Sequence, residues 1–452
     1  MVPDTYIEEH YMQQTPATSP TFSSFLTTVL TLLGVAVGLG NVWRFPYMMG
    51  SYGGSAFLLV FVLLMCVIAI PALMCELALA RAHRGATITV LSKSFGPFGR
   101  LLGYVLVIGV LLSGTYYTLV VGNVFFSAWY VVVNGFSTDN LQDFSTDLGN
   151  SGLQFTVALA VLWAGLFVIW RGLKGGIEKV SGTFVPFFFL VAIYLVYVAL
   201  NLPGAGEAVS EFLKPDFSLI GPTEVFAALG QCFFSVGLGA SFALVYGKFI
   251  SNDTNLGGVA ILSASGDTLA SILATLFIVP TVIVFGMELN GGPTLLFETI
   301  PALVSQMPAG RLVGSFLLVA LSLVSFLSAV AVYQVVTVAL EEEPIGQRLG
   351  RTRLLLLIGA VETIGMTYPA WNPEIIGILD LIIGSGFMVT GGLLAVVAIT
   401  WTYGRSEALQ QIFTDSDPGP FYRITFIWMR YVIPVALLTI LGATIFGAIA
   451  GD

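Results

Sequence analysis

The chain has 452 residues, of which 56% are hydrophobic and only 10% are charged, and its mean hydropathy is +0.92. Soluble domains carry about 25% charged residues, so the composition excludes a soluble enzyme and indicates a protein that crosses the lipid bilayer many times. The net charge of -9 argues against a nucleic-acid partner.

Runs of apolar residues predict eleven membrane-spanning helices, numbered here as spans 1 to 11. Each run is about 20 residues or longer, which is enough to cross a hydrocarbon layer of about 30 Å. The predicted fold class is therefore an all-α membrane protein. The predicted spans are, in order, 23–48, 54–80, 99–134, 152–170, 175–200, 222–249, 257–286, 311–340, 352–370, 374–402 and 421–448.

The segments between the spans are mostly short. Residues 1–22 are predicted to form a polar cytoplasmic tail, which contains no Lys or Arg. Residues 287–309 are long and half apolar, so we expect them to fold back as an extracellular lid. The three cysteines lie in apolar runs, where cysteine behaves as a small hydrophobe, and they predict neither a disulfide nor a metal cluster.

Basic residues indicate how the spans are oriented. If the amino terminus is cytoplasmic, only Arg44, Lys214 and Arg311 among the 17 basic residues lie away from the cytoplasmic side. Short loops rich in Lys and Arg stay in the cytoplasm. We therefore predict a multi-pass protein of the plasma membrane with a cytoplasmic amino terminus and, because eleven is odd, an extracellular carboxyl terminus.

One four-residue motif occurs twice. Val-Gly-Leu-Gly stands at 37–40 in span 1 and at 236–239 in span 6. Glycine weakens a helix by about 1 kcal/mol relative to alanine, and lipid tolerates a broken helix only where protein or a cavity satisfies the backbone. Paired breaks of this kind point to a transporter site. Spans 1–5 (23–200) and spans 6–10 (222–402) are thus predicted to form an inverted repeat, to which span 11 (421–448) is added.

Helix packing is the alternative explanation of these glycines, because small residues let membrane helices approach one another. The charge after the first copy favours a site instead. Arg44 follows that break by about one turn, where an unpaired charge costs at least about 3 kcal/mol, so it is expected to have a partner. Glu76, an acid late in span 2, is expected to cap the broken span 6, since a carboxylate is favourable at a helix N-terminus.

Longer motifs resemble the neurotransmitter:sodium symporter family over nearly the whole chain. The resemblance implies the leucine-transporter fold, with spans 1 and 6 broken, and sodium-coupled transport without enzyme activity. The matching motifs are GLGNVWRFPY at 38–47, Tyr116-Tyr117, RGLKGGIEK at 171–179, GQCFFSVGLG at 230–239, ETIPALVSQ at 298–306 and Asp380.

The resemblance implies that the transported molecule is an amino acid. Backbone N–H groups at the break in span 1 would bind its carboxylate, as helix N-termini bind anions. Gly38 stands where monoamine transporters of the family carry an aspartate, so a substrate with its own carboxylate is favoured. The implied carboxylate donors are Leu39, Gly40 and the Tyr117 hydroxyl, and the implied amine acceptors are the carbonyls of Ala36, Phe234 and Ser235.

The resemblance also implies which side chains line the pocket. Family members for small aliphatic substrates often carry bulkier residues at the positions of Gly237 and Ala240. A neutral amino acid with a bulky hydrophobic or aromatic side chain is therefore predicted. The implied wall consists of Ser113, Phe234, Gly237, Ala240, Ser328 and Val332.

A first sodium site is implied beside the substrate. The family's sodium ligand in span 7 aligns without gaps with Gly266. The neighbouring Asp267 is an acid inside a membrane span, and such an acid is functional by default. Asp267 would ligate sodium or supply the negative charge that chloride provides in animal relatives. Phe61 replaces the chloride-binding tyrosine of those relatives, so chloride is not expected to be required. The other matched ligands are Ala36, Asn41 and Ser235.

A second sodium site is matched less completely. The threonine that the family carries in span 8 is replaced by Leu327, which removes one hydroxyl ligand. One or two sodium ions are therefore predicted. The remaining matched ligands are the carbonyls of Gly34, Val37 and Val324 and the Ser328 hydroxyl.

Charged residues match the gates of the family. Arg44 and Asp380 would pair on the outer side. Glu342 matches on the inner side, but the expected amino-terminal arginine is Ser19, so the usual inner ion pair cannot form. The acidic run 341–343 is then interpreted as a solvated end of span 8.

These features predict a sodium-coupled symporter that imports a neutral amino acid by alternating access. An amino-acid sensor that has lost transport is the first alternative, because the inner arginine is missing and the second ion site is altered. An ion channel is the second alternative. The sequence leaves the identity of the substrate and the oligomeric state open.

Overall fold

A computed structural model of the chain describes most of the residues, and within them helices and turns occur without any β-strand. The predicted all-α membrane fold is thus confirmed. Residues 1–19 of the predicted tail, including Ser19, lie outside the described part. The described residues are 20–450 except 290, 381–382, 384–386 and 414–418, with the side chains of 443–450 also left out.

Most spans have nearly the predicted bounds. Within the described residues eight helices are long and apolar enough to cross a bilayer, and a ninth results if the bent pair in span 1 is one span. Eleven spans remain a prediction, because spans 6 and 10 consist of shorter helices. The eight are Ser55–His83, Thr87–Val133, Ser151–Trp170, Leu173–Leu200, Leu256–Val284, Gly310–Glu341, Pro344–Trp371 and Pro420–Ala450 (spans 2, 3, 4, 5, 7, 8, 9 and 11).

Spans 1 and 6 are both divided at the Val-Gly-Leu-Gly motif. Span 1 consists of Phe25–Ala36 and Gly40–Ser51, which meet at 58°. Span 6 consists of Pro222–Ser235 and Phe242–Gly247. The predicted breaks are therefore present in the structure.

Spans 3 and 9 begin earlier than predicted. Each has an added segment at its start and then turns at a glycine with positive φ, Gly96 (63°) in span 3 and Gly350 (70°) in span 9. The added segments carry charged residues such as Lys93, so a search for apolar runs did not include them.

Shorter helices connect or cover the spans. The predicted lid forms helical turns whose side chains Leu295, Ile300 and Leu303 are buried, and it packs against span 8. The shorter helices are Leu141–Leu148, Ala205–Phe212, Gly292–Thr294, Leu295–Thr299, Ile300–Gln306, Ile375–Leu379, Met388–Thr402 and Arg405–Phe413.

Two groups of spans surround the broken segments. Span 1 packs against spans 5 and 7, and span 2 packs against span 7 and the second part of span 6. Spans 3, 4, 8 and 9 pack against one another. Leu101, Ile108 and Leu112 of span 3 stay exposed on the outside, as expected for a helix that meets the hydrocarbon layer.

Candidate functional site

The two breaks place backbone groups inside the bundle. Val37 ends the first part of span 1 in an extended conformation (φ -71°, ψ 120°). In span 6, Gly237 (φ 64°), Gly239 (79°) and Ser241 (64°) all have positive φ, a conformation that glycine adopts without steric cost. Because these segments are buried, their backbone N–H and C=O groups must find partners in the protein or in a ligand rather than in water.

Glu76 caps the second break, as the sequence predicted. Its fully buried side chain accepts a hydrogen bond of 2.7 Å at Oε1 from the backbone N–H of Gly239. A methyl group on Gly239 would collide with the backbone carbonyl of Met388 in span 10. Gly239 is therefore required both by its φ angle and by the close approach of span 10.

Asp267, Asn41 and two serines form a buried polar cluster between spans 1, 6 and 7. The Asn41 amide nitrogen donates to Asp267 Oδ1 (2.7 Å) and to Ser271 Oγ (2.8 Å). The Ser235 hydroxyl donates to Asp267 Oδ2. Asn41 Oδ1 accepts a hydrogen bond of 2.8 Å from the Gly38 N–H, so the cluster is attached directly to the break in span 1.

Asp267 faces this cluster, whereas Gly266 does not. A Cβ on Gly266 would lie 2.7 Å from Leu33 Cδ2. The Asp267 carboxylate is fully buried, and no basic side chain of the described residues lies within 4 Å of it. Since an unpaired buried carboxylate is costly, the arrangement suits a small cation. Ser271 was missed by the sequence reasoning, although it stands one helical turn after Asp267 on the same face.

The Ser328 hydroxyl contacts the unwound part of span 1. It donates to the carbonyls of Val35 (3.2 Å) and Val37 (3.5 Å). Val324, one turn earlier in span 8, is fully buried. Of the ligands predicted for a second sodium ion, Ser328 and Val37 are therefore in contact, and the site itself stays a prediction.

Leu327 packs against span 1 at the same place. Its Cδ1 lies 2.9 Å from the position of a Cβ on Gly34, and the Ser181 hydroxyl of span 5 lies 3.2 Å from that position. The buried Ser181 is a hydroxyl that the sequence reasoning missed, because the face that span 5 turns towards span 1 is set by packing. It is a candidate replacement for the hydroxyl that Leu327 lacks.

Three residues meet at the predicted substrate position. A Cβ on Gly38 would lie 3.0 Å from Ser328 Oγ and 3.6 Å from the Tyr117 hydroxyl oxygen. Any side chain at this position would therefore lie beside both hydroxyls, most closely beside that of Ser328. The Phe234 ring lies directly on Gly40, since a Cβ there would be 3.1 Å from Phe234 Cδ1.

Phe242 limits the space beside Gly237. A Cβ on Gly237 would lie 3.0 Å from Phe242 Cδ2 and 3.8 Å from Val35 Cγ1. The ring of Phe242 therefore occupies much of the space that the small residue Gly237 leaves, and Phe242 is a candidate addition to the predicted wall. The sequence reasoning missed it because it starts the helix after the break. The other predicted wall residues are Ser113, whose hydroxyl donates to the Val110 carbonyl (2.7 Å), and the buried Ala240 and Val332.

The predicted outer gate residues have different partners in this structure. The Arg44 guanidinium lies 5.2 Å from the centre of the Phe234 ring. Asp380 Oδ1 accepts a hydrogen bond of 3.2 Å from the Tyr116 hydroxyl. Among the described residues no ion pair within 4 Å joins Arg44 to Asp380, so their pairing stays a prediction.

Glu342, at the predicted inner side, has an ion pair. Its Oε1 lies 2.6 Å from Lys248 Nζ, and each side chain is less than one-fifth exposed. The Ala86 N–H also donates to both carboxylate oxygens at 2.9 Å. Nearby, the backbone N–H of Phe22 donates to the Phe249 carbonyl (3.0 Å). A lysine from span 6 therefore pairs with the acid for which the sequence found no arginine.

The interpretation of residues 341–343 as a solvated acidic end is wrong. Glu341 pairs with Arg351 at 2.5 Å and Glu343 pairs with Arg100 at 2.6 Å. All three carboxylates are thus engaged, because spans 3, 6 and 9 bring basic residues to the end of span 8. Such distant partners cannot be read from a charge run.

Below the breaks the bundle is closely packed. A void of about 10 Å³ remains between spans 1, 2, 6 and 7, which is the space of about one water molecule. Its lining includes Ala36, Val236 and Phe242. The Lys248–Glu342 pair joins spans 6 and 8 at their predicted cytoplasmic ends.

The region of the implied chloride site contains no tyrosine hydroxyl at position 61. Phe61 is fully buried and its ring lies 4.9 Å from that of Phe45. Gln231 is also fully buried, and its amide finds no hydrogen-bond partner among the described residues. Asp267 interacts electrostatically with Cys232, the neighbour of Gln231 in span 6.

The chain and its fold are similar to those of known proteins. The model of the Sodium:neurotransmitter symporter family matches residues 19–139 and 129–449. The chain belongs to this family of sodium-dependent membrane transporters. Its members are transporters and not enzymes.

Individual relatives agree with this assignment. The chain is 28% identical to an uncharacterized sodium-dependent transporter of Haemophilus influenzae over 453 residues, covering 94% of this chain and 98% of that one. It is 29% identical to the uncharacterized sodium-dependent transporter YhdH of Bacillus subtilis, covering 93% and 96%. The crystal structure of MhsT in complex with L-phenylalanine superposes with a TM-score of 0.84 at 26% identity, covering 94% of this chain and 99% of that chain.

Proposed function

We propose that this symporter imports a neutral, bulky hydrophobic or aromatic amino acid together with sodium by alternating access. The observation that carries the proposal is the buried cluster of Asn41, Ser235 and Asp267, which is attached to the break in span 1 through Gly38. Sodium bound in this cluster would lie beside the substrate carboxylate. Binding of either would then favour binding of the other.

The substrate class follows from the backbone and from position 38. The N–H groups of Leu39 and Gly40 start the second part of span 1 and suit an anion. Position 38 is a glycine that lies against Ser328 and Tyr117 and carries no acid of its own, so the negative charge would come from the substrate. MhsT, similar over 94% of the chain, has been crystallised with L-phenylalanine, which supports an aromatic amino acid.

The buried acid and the hydroxyl groups indicate which ions are bound. Asp267 supplies a negative charge within the cluster, so we propose that chloride is not required. One sodium ion binds with Ala36, Asn41, Ser235 and Asp267. A second binds with Gly34, Val37, Val324 and Ser328 if the Ser181 hydroxyl replaces the missing threonine.

Transport would proceed by movement of spans 1, 2, 6 and 7 relative to spans 3, 4, 8 and 9. In this structure the inner side is held by the Lys248–Glu342 pair, and the Phe234 ring lies between Gly40 and Arg44. Opening of the inner side therefore requires separation of that pair. The amino terminus would lie in the cytoplasm, as the distribution of basic residues predicts.

Proteoliposomes that contain the purified protein test this proposal. Labelled phenylalanine should accumulate against its gradient when sodium is outside, and accumulation should stop when potassium replaces sodium or when an ionophore removes the gradient. Saturable binding without accumulation would support the sensor, and sodium current without amino-acid uptake would support the channel. Either result overturns the symporter.

A further inference from the structure

Glu362 is a buried acid that the transport site does not use. It lies in span 9 near the middle of the straight part that follows Gly350, and its side chain is fully buried. Neither carboxyl oxygen has a hydrogen-bond partner among the described residues. An ionisable group at this depth is costly and is functional by default.

The carboxyl group of Glu362 lies directly against span 3. A Cβ on Gly114 would be 2.9 Å from both Cδ and Oε2 of Glu362, so only glycine leaves room for the carboxyl group. The Thr118 hydroxyl donates to the Gly114 carbonyl at 2.6 Å and is also hydrogen-bonded to the Tyr333 hydroxyl of span 8. The acid thus contacts the place where spans 3, 8 and 9 meet.

Among the described residues no basic side chain forms an ion pair with this carboxyl group. Spans 3, 4 and 8 pack against span 9. Span 4 has no titratable side chain between 151 and 170. At this level the titratable side chains of spans 3 and 8 are Tyr116, Tyr117 and Tyr333, and of these Tyr333 faces Glu362. A carboxylate here would be unpaired in an apolar environment, whereas the protonated acid is neutral.

The position of Glu362 connects it to the substrate pocket. Gly114 and Thr118 alternate along span 3 with the predicted pocket residues Ser113 and Tyr117. A charge on Glu362 would draw water or separate spans 3 and 9, and either change would move the pocket wall.

We propose that Glu362 is a proton-binding site behind the substrate pocket, and that the proton must be bound for the closed, substrate-binding form of the wall. Substrate binding is then linked to proton uptake at this site, in addition to its linkage to sodium. Raising the pH until Glu362 loses its proton weakens substrate binding. The linkage to substrate rests on the proposed function.

Phenylalanine binding at saturating sodium, measured from about pH 6 to about pH 9.5, tests the linkage. The wild-type protein should lose affinity at the alkaline end by about fivefold or more, the lower end of typical couplings. Glu362→Gln should remove this alkaline loss. It should leave any acidic loss unchanged, since protonation of Asp267 would compete with sodium. Glu374→Gln, at the exposed end of the following segment, is the matched control and should behave as wild type.

Two results would overturn the proposal, namely a wild-type affinity that is flat at alkaline pH, or a Glu362→Gln variant that keeps the alkaline loss. If Glu362→Gln does not fold, Glu362→Asp should shift the midpoint of the loss, and an unshifted midpoint overturns it equally. The infrared band of the protonated carboxylic acid at neutral pH can be measured without substrate, and it should weaken in Glu362→Gln and shift in frequency in Glu362→Asp. An unchanged band refutes the proton site, whereas absent phenylalanine binding at every pH refutes only the proposed function.

Discussion

At the residue scale, Asp267 is the acid on which the proposed sodium site depends. Its carboxylate accepts hydrogen bonds from Asn41 and Ser235. The apolar run around it could be read from the sequence, and an acid in such a run is already a functional signal. Its assignment over Gly266 required the rotation of span 7, which only packing fixes.

Asp267→Asn should therefore weaken sodium-dependent substrate binding. Hydrogen bonds to charged groups are worth about 1.5–3 kcal/mol, so we expect the sodium affinity to fall about 10- to 100-fold. If chloride can replace the lost negative charge, adding chloride should restore the affinity. Sodium titrations of phenylalanine binding with and without chloride measure this. Ser263→Ala, a buried hydroxyl of the same span without a partner in the described residues, is the control. An Asp267→Asn variant with wild-type sodium dependence would make Asp267 a structural acid.

Leu327 allows a test of the second sodium ion. Leu327→Thr adds the hydroxyl that this chain lacks, whereas Leu327→Val gives almost the same shape without it. Both lose packing against Gly34, at a cost of about 1–3 kcal/mol. If the second site is limited by its ligands, only the threonine variant should bind sodium more tightly and more cooperatively in titrations. Identical behaviour of the two variants would contradict this explanation.

At the scale of elements, the second break depends on Gly239. Gly239→Ala would force a side chain into a positive φ and against the span 10 backbone. Left-handed backbone alone costs an L-residue about 1–2 kcal/mol, so we expect a loss of about 2 kcal/mol or more in stability and loss of binding. Thermal unfolding and phenylalanine binding measure it. Gly230→Ala, in the helical part of span 6 with nothing within 4 Å, should be nearly neutral, and equal effects would refute the close approach.

The contact between spans 6 and 8 depends on Lys248 and Glu342. Because both side chains are partly exposed, the pair is expected to contribute about 1 kcal/mol or less. Glu342→Gln and Lys248→Gln should each make the inner side open more often, and the double variant should lose less than the sum. Labelling of a cysteine introduced at Ala36 reports the opening. Strict additivity would show that the two residues do not act as a pair.

At the scale of the whole molecule, ligand binding should appear as stability. A ligand that binds only the folded form, at a concentration of about 100 times its Kd, raises the free energy of unfolding by about 2.7 kcal/mol. Phenylalanine should therefore raise the unfolding temperature clearly in sodium and scarcely in potassium. Alanine should raise it less, because it fills less of the pocket. Equal shifts in both salts would contradict sodium coupling in the binding step.

The sequence by itself determined the class of protein and the places where helices break. Apolar runs about 20 residues long have only one environment that satisfies them, and glycine pairs at 37–40 and 236–239 weaken a helix wherever it packs. These are local properties of the chain. The cap that Glu76 provides and the importance of Asp267 follow almost as directly, since an acid in lipid must have a reason to be there.

Only the tertiary structure decided which side chains meet. Lys248 reaches Glu342, Phe242 fills the space beside Gly237, and Glu362 lies on Gly114. Each contact joins residues from different segments, and it depends on the rotation and depth at which two helices pack. A small rotation would leave every span apolar and every break in place, yet it would separate these partners. Contacts between residues far apart in the chain therefore cannot be read from the order of residues in the sequence.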